Sequence, residues 1–319
     1  MRALLLLALC VSFAQAADPL PDANGVEIQL DRPEWKLWLP GKYTPPADGK
    51  VDLLIHFHGH PPVVRNNVAH AELNAAVVTV NYNGLSSVYR IPFSDEALFQ
   101  TLLDVTREAL SEHFDASKLV EIDHLALSSF SAGYGAVRQI LKSPDYREQI
   151  DAILAADSLY ASTAEDGTPE DEQMADYKQW AEMATRGEKR FVFTHTRVET
   201  PTYESTAETG DELLEHLDLP PESVDEEGLG PLKFHRKARR GDFVLWGSPG
   251  KTGEDHMDHL RFMAEWLGEL GFGLTPLKGD ANGDGEVNAA DYSILRDGLG
   301  TEYTQQDLDD WRENFGAKR

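Results

Sequence analysis

The sequence predicts an α/β fold, in which a mostly parallel, twisted sheet carries helices on both faces, followed by a small α-helical module. Two observations predict it. Between about residues 25 and 272, strand-like apolar runs alternate with amphipathic helical segments. The length of 319 residues suits one large domain and one small one. We place the domains at 17–274 and 278–319, after a leader at 1–16.

The individual elements follow from the spacing of apolar residues. Continuous apolar runs predict strands at 51–57, 75–81, 122–127, 152–156, 191–193 and 243–246. Helical spacing predicts helices at 98–113, 132–141, 171–183, 212–217 and 257–270. Two acidic segments, 163–172 and 220–230, are predicted to be surface loops. In sheets of this kind ligands bind beyond the carboxyl ends of the strands, so functional residues are sought directly after each strand.

The first residues have the pattern of a secretory signal peptide. Arg2 precedes the apolar run Leu4–Val11, and Ala14-Gln15-Ala16 supplies the small residues that a signal peptidase needs. We therefore expect a secreted protein, extracellular or periplasmic, without a transmembrane segment once the signal is cleaved. The single cysteine, Cys10, lies in this leader, which excludes cysteine catalysis and thiolate metal sites in the mature chain.

The net charge of −26 argues against a nucleic-acid partner, because a polyphosphate backbone is bound by basic surfaces. It favours solubility and identifies no substrate.

The strongest motif is Ser129-Phe130-Ser131-Ala132-Gly133, between a predicted strand and a predicted helix. This context is typical of a nucleophile elbow, a tight turn that holds a serine upright and needs small residues on either side. The usual first glycine of the motif is Ser129 here. The following helix would direct free N–H groups at a developing oxyanion.

A second motif, His56-Phe57-His58-Gly59-His60, ends an early strand, where such enzymes place their other oxyanion donor. We expect the two donors to be the backbone N–H groups of His60 and Ala132.

Two partners for the serine are required, and the sequence leaves a choice for each. The general base is His256 or His259, which follow the last predicted strand one helical turn apart; His256 lies at the loop-to-helix boundary and is preferred. The acid that orients the base is Asp157, directly after a strand, or Glu199, farther beyond the next one; Asp157 is preferred.

On these motifs, the chain resembles an α/β-hydrolase of the esterase, lipase and depolymerase kind over about residues 50–270. The resemblance implies a Ser–acid–His triad that hydrolyses an ester or a related acyl bond and requires no cofactor for catalysis.

Two alternatives remain open. One is a divalent-metal-dependent hydrolase, because several histidines follow predicted strands, namely His58, His60, His195, His256 and His259. In the simpler interpretation these side chains line a polar cleft, with His58, His195 and Tyr160 contacting substrate. The other alternative is a non-catalytic hydrolase fold that binds a glycan or polymer.

The C-terminal region contains a calcium-loop pattern. Its predicted ligands are oxygen donors at regular positions, with the backbone carbonyl at the fourth of them: Asp280, Asn282, Asp284, Glu286, Asn288 and Asp291. Gly285 permits the sharp turn. A terminal aspartate followed by a helix resembles a dockerin repeat, which implies bound calcium and a cohesin-like or cell-surface partner. The helix is repeated sixteen residues later without a second loop, so a purely stabilising role stays equally open.

The substrate is predicted only as an ester-bearing molecule. Sugar acetates, hydroxycinnamates and polyesters all remain open, and the acidic, secreted, dockerin-like character favours polysaccharide-linked esters by association alone.

Overall fold

The computed structural model describes residues 19–45, 49–116, 119–273, 277–282, 286–301 and 303–317. The predicted signal peptide and Asp284 of the predicted calcium loop lie outside these residues. Within these ranges, the helices are all too short or too polar to cross a bilayer.

The described residues form one mixed sheet. Its strands are β1 (Gly25–Gln29), β2 (Trp35–Pro40), β3 (Lys50–Phe57), β4 (Ala76–Val80), β5 (Glu121–Phe130), β6 (Ala152–Ala156), β7 (Arg190–His195), β8 (Glu222–Glu227), β9 (Lys233–Arg240) and β10 (Phe243–Gly247). Their order across the sheet is β1-β2-β4-β3-β5-β6-β7-β10-β9-β8. The six strands from β4 to β10 in this order are parallel, and the two strands at each end are antiparallel.

The helices in the described residues are α1 (Pro61–His70), α2 (Ser86–Phe93), α3 (Glu96–His113), α4 (Tyr134–Ile140), α5 (Pro144–Gln149), α6 (Asp171–Thr185), α7 (Thr206–His216), α8 (Gly253–Arg261), α9 (Ala264–Leu267), α10 (Ala289–Asp297) and α11 (Gln305–Asn314). A 3-10 turn at Ser131–Gly133 joins β5 to α4, and another at Gly268–Leu270 follows α9.

Two buried cores cover the two faces of the sheet. Alternate residues of β3 show the division: Leu53 and Ile55 face the core formed with α2 to α7, whereas Leu54 faces the core formed with α1, α8 and α9. Because both faces are covered, the middle segments of the central strands are apolar on both faces, as in residues 53–55 of β3 and 125–127 of β5. The predicted mostly parallel α/β sheet with helices on both faces is confirmed.

Two predicted helices begin earlier than expected. The predicted helix 212–217 begins at Thr206, because Ser205 caps it: the Ser205 hydroxyl accepts from the Glu208 N–H, and the Glu208 carboxylate accepts from the Ser205 N–H. The predicted helix 257–270 begins at Gly253, where Thr252 and Asp255 form the same capping box, and it breaks after Arg261.

The prediction of a surface loop at 220–230 is wrong for Glu222–Glu227, which form the edge strand β8. This acidic strand pairs with the basic strand β9, and Lys237 lies 3.6 Å from Glu226 while Lys233 lies 3.6 Å from Glu227. Backbone pairing and opposite charges therefore hold a strand that has no apolar pattern.

Candidate active site

Ser131 stands at a strained turn between a buried strand and a helix. It follows β5 directly and adopts φ = 47°, in the left-handed region that non-glycine residues rarely occupy. Such a conformation costs on the order of 1–3 kcal/mol and persists because the surrounding structure fixes it. The residue is half-buried and lies at the carboxyl end of the sheet.

Neighbouring backbone explains the small residues of the motif. A Cβ on Gly133 would lie 2.0 Å from the Phe57 carbonyl oxygen, so only glycine fits between the turn and the end of β3. Ser129, which stands where glycine is usual, is buried, and its hydroxyl lies 2.9 Å from that of Ser158. The Ser158 hydroxyl also lies 2.9 Å from the Ser131 carbonyl oxygen. The extra hydroxyl group thus has a polar partner beneath the turn.

Asp157 and His256 form a hydrogen-bonded pair beside this turn. Asp157 directly follows β6 with φ = 45°, and its Oδ2 lies 2.6 Å from Nδ1 of His256, near the start of α8. The His256 ring stacks on Phe130, the residue before Ser131, with centroids 4.5 Å apart and an interplanar angle of 27°. A carboxylate can only accept, so Nδ1 carries the proton and Nε2 is left with a lone pair.

The Asp157 carboxylate is fully buried and still ionised. Burial raises the pKa of Asp157. The hydrogen bond from His256, the nearby His259 and the hydroxyl of Thr206 lower the pKa by more than burial raises it, so the pKa lies below the usual value. Asp157 therefore carries a negative charge at neutral pH.

The predicted oxyanion donors lie at adjacent strand ends. Gly59, with φ = 138°, leads into His60, the exposed N-cap residue of α1, and Ala132 lies in the turn after β5. Strands β3 and β5 pair in parallel, with Phe57 opposite Ser129. Both backbone segments therefore reach the same edge of the sheet as Ser131.

His58 and Tyr160, which we predict to contact substrate, both lie beside the turn. The His58 ring lies parallel to Phe130 at 6.1 Å, and its Nδ1 lies 2.9 Å from the Tyr89 hydroxyl. The Tyr160 hydroxyl has the Ser131 side chain as a polar neighbour, and burial raises its pKa.

Three other predicted site residues, two of them alternatives for the triad, take no part in the Asp157–His256 pair. His259 is buried, with Nδ1 2.7 Å from Thr194 Oγ1 and its ring against Trp266, so it is linked to the Asp157 N–H through the Thr194 hydroxyl and does not pair with the carboxylate. Glu199 is exposed in the loop after β7, while Asp157 holds His256.

His195 is the third, and its predicted contact with substrate does not hold. It is fully buried; Nε2 accepts from Arg236 Nε at 2.8 Å and Nδ1 lies 3.0 Å from the Thr196 carbonyl oxygen. Both ring nitrogens are therefore used inside the protein.

The histidines do not come together as metal ligands. Within the part of the chain that the structure describes, the one group with suitably close ligand atoms is Asp52, Asp123 and His124, at the amino-terminal ends of β3 and β5. That end of the sheet is opposite to the edge that carries Ser131.

Sequence reasoning missed the residues that hold Asp157. Thr196 and Thr206 both donate to its carboxylate. The S-x-x-E pattern of Ser205 and Glu208 is a capping-box signal that could have placed a helix start, and so Thr206, at this point.

The C-terminal segment folds around Asp291. Its buried carboxylate accepts from the N–H groups of Ala281 at 2.9 Å, Asn282 at 3.2 Å and Asn288 at 2.7 Å. The first and last parts of the predicted calcium loop therefore lie together, and carboxylate and amide oxygens suit Ca²⁺. Glu286 lies in the same segment. The sixteen-residue sequence repeat is also a structural repeat. Thr304 and Asp307 form a capping box at the start of α11, and Asn288 and Asp291 form one at the start of α10.

Buried histidines predict an acid-sensitive fold. Burial lowers the pKa of His56 and His259 to about 4 and that of His195 to about 3, from 6.5. Unfolded histidine takes up a proton near pH 6.5 while the folded side chains stay neutral, so stability is lost as pH falls from 6.5 towards 4. Each histidine contributes about 1.4 kcal/mol per pH unit.

We expect the melting temperature to fall by about 10 °C or more between pH 7 and pH 5. His259→Asn should reduce the slope of unfolding free energy against pH, whereas His113→Gln, an exposed histidine in α3, should leave it unchanged. A melting temperature that is flat over this range would contradict the prediction.

No family model and no curated sequence matches the chain, whereas several solved structures do. The chain is similar to a mutant feruloyl esterase module from Clostridium thermocellum complexed with sinapinate (14% identity, TM-score 0.43, covering 80% of this chain and 95% of that one). It is similar to a siderophore hydrolase from Aspergillus nidulans (14%, 0.42, 79% and 96%). It is also similar to a poly(3-hydroxybutyrate) depolymerase from Bordetella parapertussis (15%, 0.41, 76% and 89%). The chain itself has a mixed α/β sheet whose central strands are parallel, with a serine turn directly after β5.

Proposed function

We propose that the chain is a serine hydrolase that cleaves an ester or related acyl bond through Ser131, His256 and Asp157. The observation that carries the proposal is the 2.6 Å pair between Asp157 and His256, stacked beside the strained turn of Ser131. A buried, ionised acid, an oriented imidazole and an upright hydroxyl are the three parts that nucleophilic catalysis needs.

In the first half-reaction, Ser131 Oγ attacks the acyl carbon while His256 Nε2 accepts its proton. The carbonyl electron pair moves to oxygen, and the N–H groups of His60 and Ala132 stabilise that oxyanion. Collapse of the intermediate breaks the bond to the leaving alcohol, which takes the proton from His256. Water then attacks acyl-Ser131 in the same way, which releases the carboxylic acid and restores the hydroxyl.

An active-site label tests the proposal. A fluorophosphonate should modify the protein at one residue, identified as Ser131 by peptide mass, and a panel of aryl, sugar and polyester substrates would define the acyl class. Labelling at another serine, or hydrolysis of esters by fully labelled protein, would disprove it.

We also propose that the C-terminal segment binds one Ca²⁺ for stability, with Asp280, Asn282, Asp284, Glu286, Asn288 and Asp291 as its ligands. When bound, the ion would hold the loop together, and it takes no part in hydrolysis. Its docking to a cohesin-like partner and the export of the chain remain predictions.

Chelation separates these roles. We expect titration calorimetry with Ca²⁺ to show one site that Asp280→Ala removes, and we expect EGTA to leave ester turnover unchanged. Loss of turnover in EGTA, restored by a divalent ion, would instead favour a metal-dependent hydrolase.

A further inference from the structure

The segment between β7 and α7 returns to the part of the chain that follows Asp157. Its residue Glu204 pairs with Ala161, with N–O distances of 2.8 and 3.4 Å, which attaches it to the segment that follows Asp157. The side chain of Glu204 also accepts a hydrogen bond from Thr163. This attachment sets the first turn of α7, and with it Thr206, against the Asp157 carboxylate.

Four donors then occupy the two oxygens of that carboxylate. Oδ1 accepts from the Thr196 N–H at 2.8 Å and from the Thr206 hydroxyl, whereas Oδ2 accepts from the Thr196 hydroxyl at 2.8 Å and from His256 Nδ1 at 2.6 Å. A carboxylate offers about four lone-pair sites, so all of its acceptor capacity is used.

This arrangement fixes the orientation of the carboxylate as well as its charge. The terminal torsion of an aspartate is broad and two-fold, so a carboxylate with a single partner can rotate. Here two threonines from different segments hold it, and α7 directs its positive N-terminal end towards the same region. The titratable groups facing Asp157 are His195 on β7, His256 and His259 on α8, and Tyr160.

We propose that Thr206, together with Thr196, is a positioning residue that locks the Asp157 carboxylate against His256 and so keeps the imidazole in its Nδ1–H tautomer. The inference rests on the proposed serine-hydrolase function. Thr206 acts through Asp157 and touches no reacting atom.

Thr206→Val tests this, because it removes the hydroxyl and nearly preserves the shape of the side chain. With p-nitrophenyl acetate as substrate, we expect kcat to fall by about tenfold to a hundredfold, since small displacements of catalytic groups cost rates of that order, and KM to stay unchanged. The far-downfield proton resonance of His256 Nδ1–H should shift or broaden. Thr206→Ser should restore both, because it keeps the donor.

Thr209→Val is the matched control. Thr209 is buried one turn later in α7, and its hydroxyl donates to the carbonyl oxygens of Leu159 at 2.9 Å and Thr206 at 3.3 Å, and not to Asp157. We expect a lower melting temperature with wild-type kcat and an unshifted downfield proton. If Thr206→Val does not fold, Thr196→Ser and Thr196→Val provide the same comparison at the second hydroxyl.

The outcomes separate the inference from the function. If Thr206→Val lowers only the melting temperature, or if serine does not rescue it, Thr206 is merely structural and the inference fails. If Asp157→Asn keeps full activity as well, the proposed triad itself fails.

Discussion

Ser131→Ala is expected to lower kcat by about 10⁵- to 10⁶-fold, because loss of a nucleophile removes nearly all that a catalytic triad contributes. The oxyanion donors and substrate binding remain, so a residual rate above that of water is expected. Alanine at φ = 47° keeps the backbone strain that serine has, so the melting temperature should change little. Steady-state kinetics with p-nitrophenyl acetate, together with thermal unfolding, measure both.

Ser128→Ala is the matched control, because Ser128 is buried three residues earlier, in β5, and its hydroxyl contacts His56 Nδ1 at 2.7 Å. We expect it to lower stability and to keep turnover. Substantial activity in Ser131→Ala, with the same substrate and no labelling by fluorophosphonate, would show that another group is the nucleophile.

Asp157→Asn is expected to lower kcat by about 10⁴-fold. An amide carries no charge to stabilise the imidazolium, and its NH₂ group would donate to Nδ1 and leave the wrong tautomer at Nε2. The Thr196 hydroxyl, which donates to the same oxygen as His256, would also meet the NH₂ group, so a loss of stability should accompany the loss of rate.

Glu199→Gln is the control for this variant, because Glu199 is the exposed acid that the sequence offered as the alternative. It should keep wild-type turnover. Since the pKa of Asp157 lies below its usual value, acidification to pH 5 should leave this carboxylate ionised in the wild type. Full activity in Asp157→Asn with an inactive Glu199→Gln would reverse the assignment.

The central part of the fold could be predicted because its strands are buried on both faces. Such strands are continuous apolar runs, and the six predicted strands match β3, β4, β5, β6, β7 and β10. Strands β1, β8 and β9 carry no such signal, whereas β2 is apolar apart from Lys36 and was missed. Strand β8 is acidic and exposed, so its own sequence gives no strand pattern. It forms a strand because it pairs with β9.

Helix α1 went unpredicted for a different reason. It begins with Pro61-Pro62, and two prolines usually indicate a break, but the first helical positions have no hydrogen bond to lose and accept proline.

The sequence predicted the candidate residues of the site, but it left two candidates each for the general base and for the acid. The sequence indicated Ser131 from strand, turn and helix, and it ranked Asp157 and His256 above Glu199 and His259. It could not decide between them, because distance along the chain does not say which side chains face each other. The pairing of Ala161 with Glu204 brings Thr206 onto Asp157, and that contact joins residues far apart in sequence.

The acidic composition of β8 has a consequence for how these molecules meet each other. An outermost strand offers unpaired backbone groups to which a second chain could add. Here an approaching copy of the same strand would bring its own row of carboxylates against Glu222, Asp225, Glu226 and Glu227. Mutual repulsion therefore protects this border of the sheet from polymerisation, and the protection weakens where salt or acid reduces the charge.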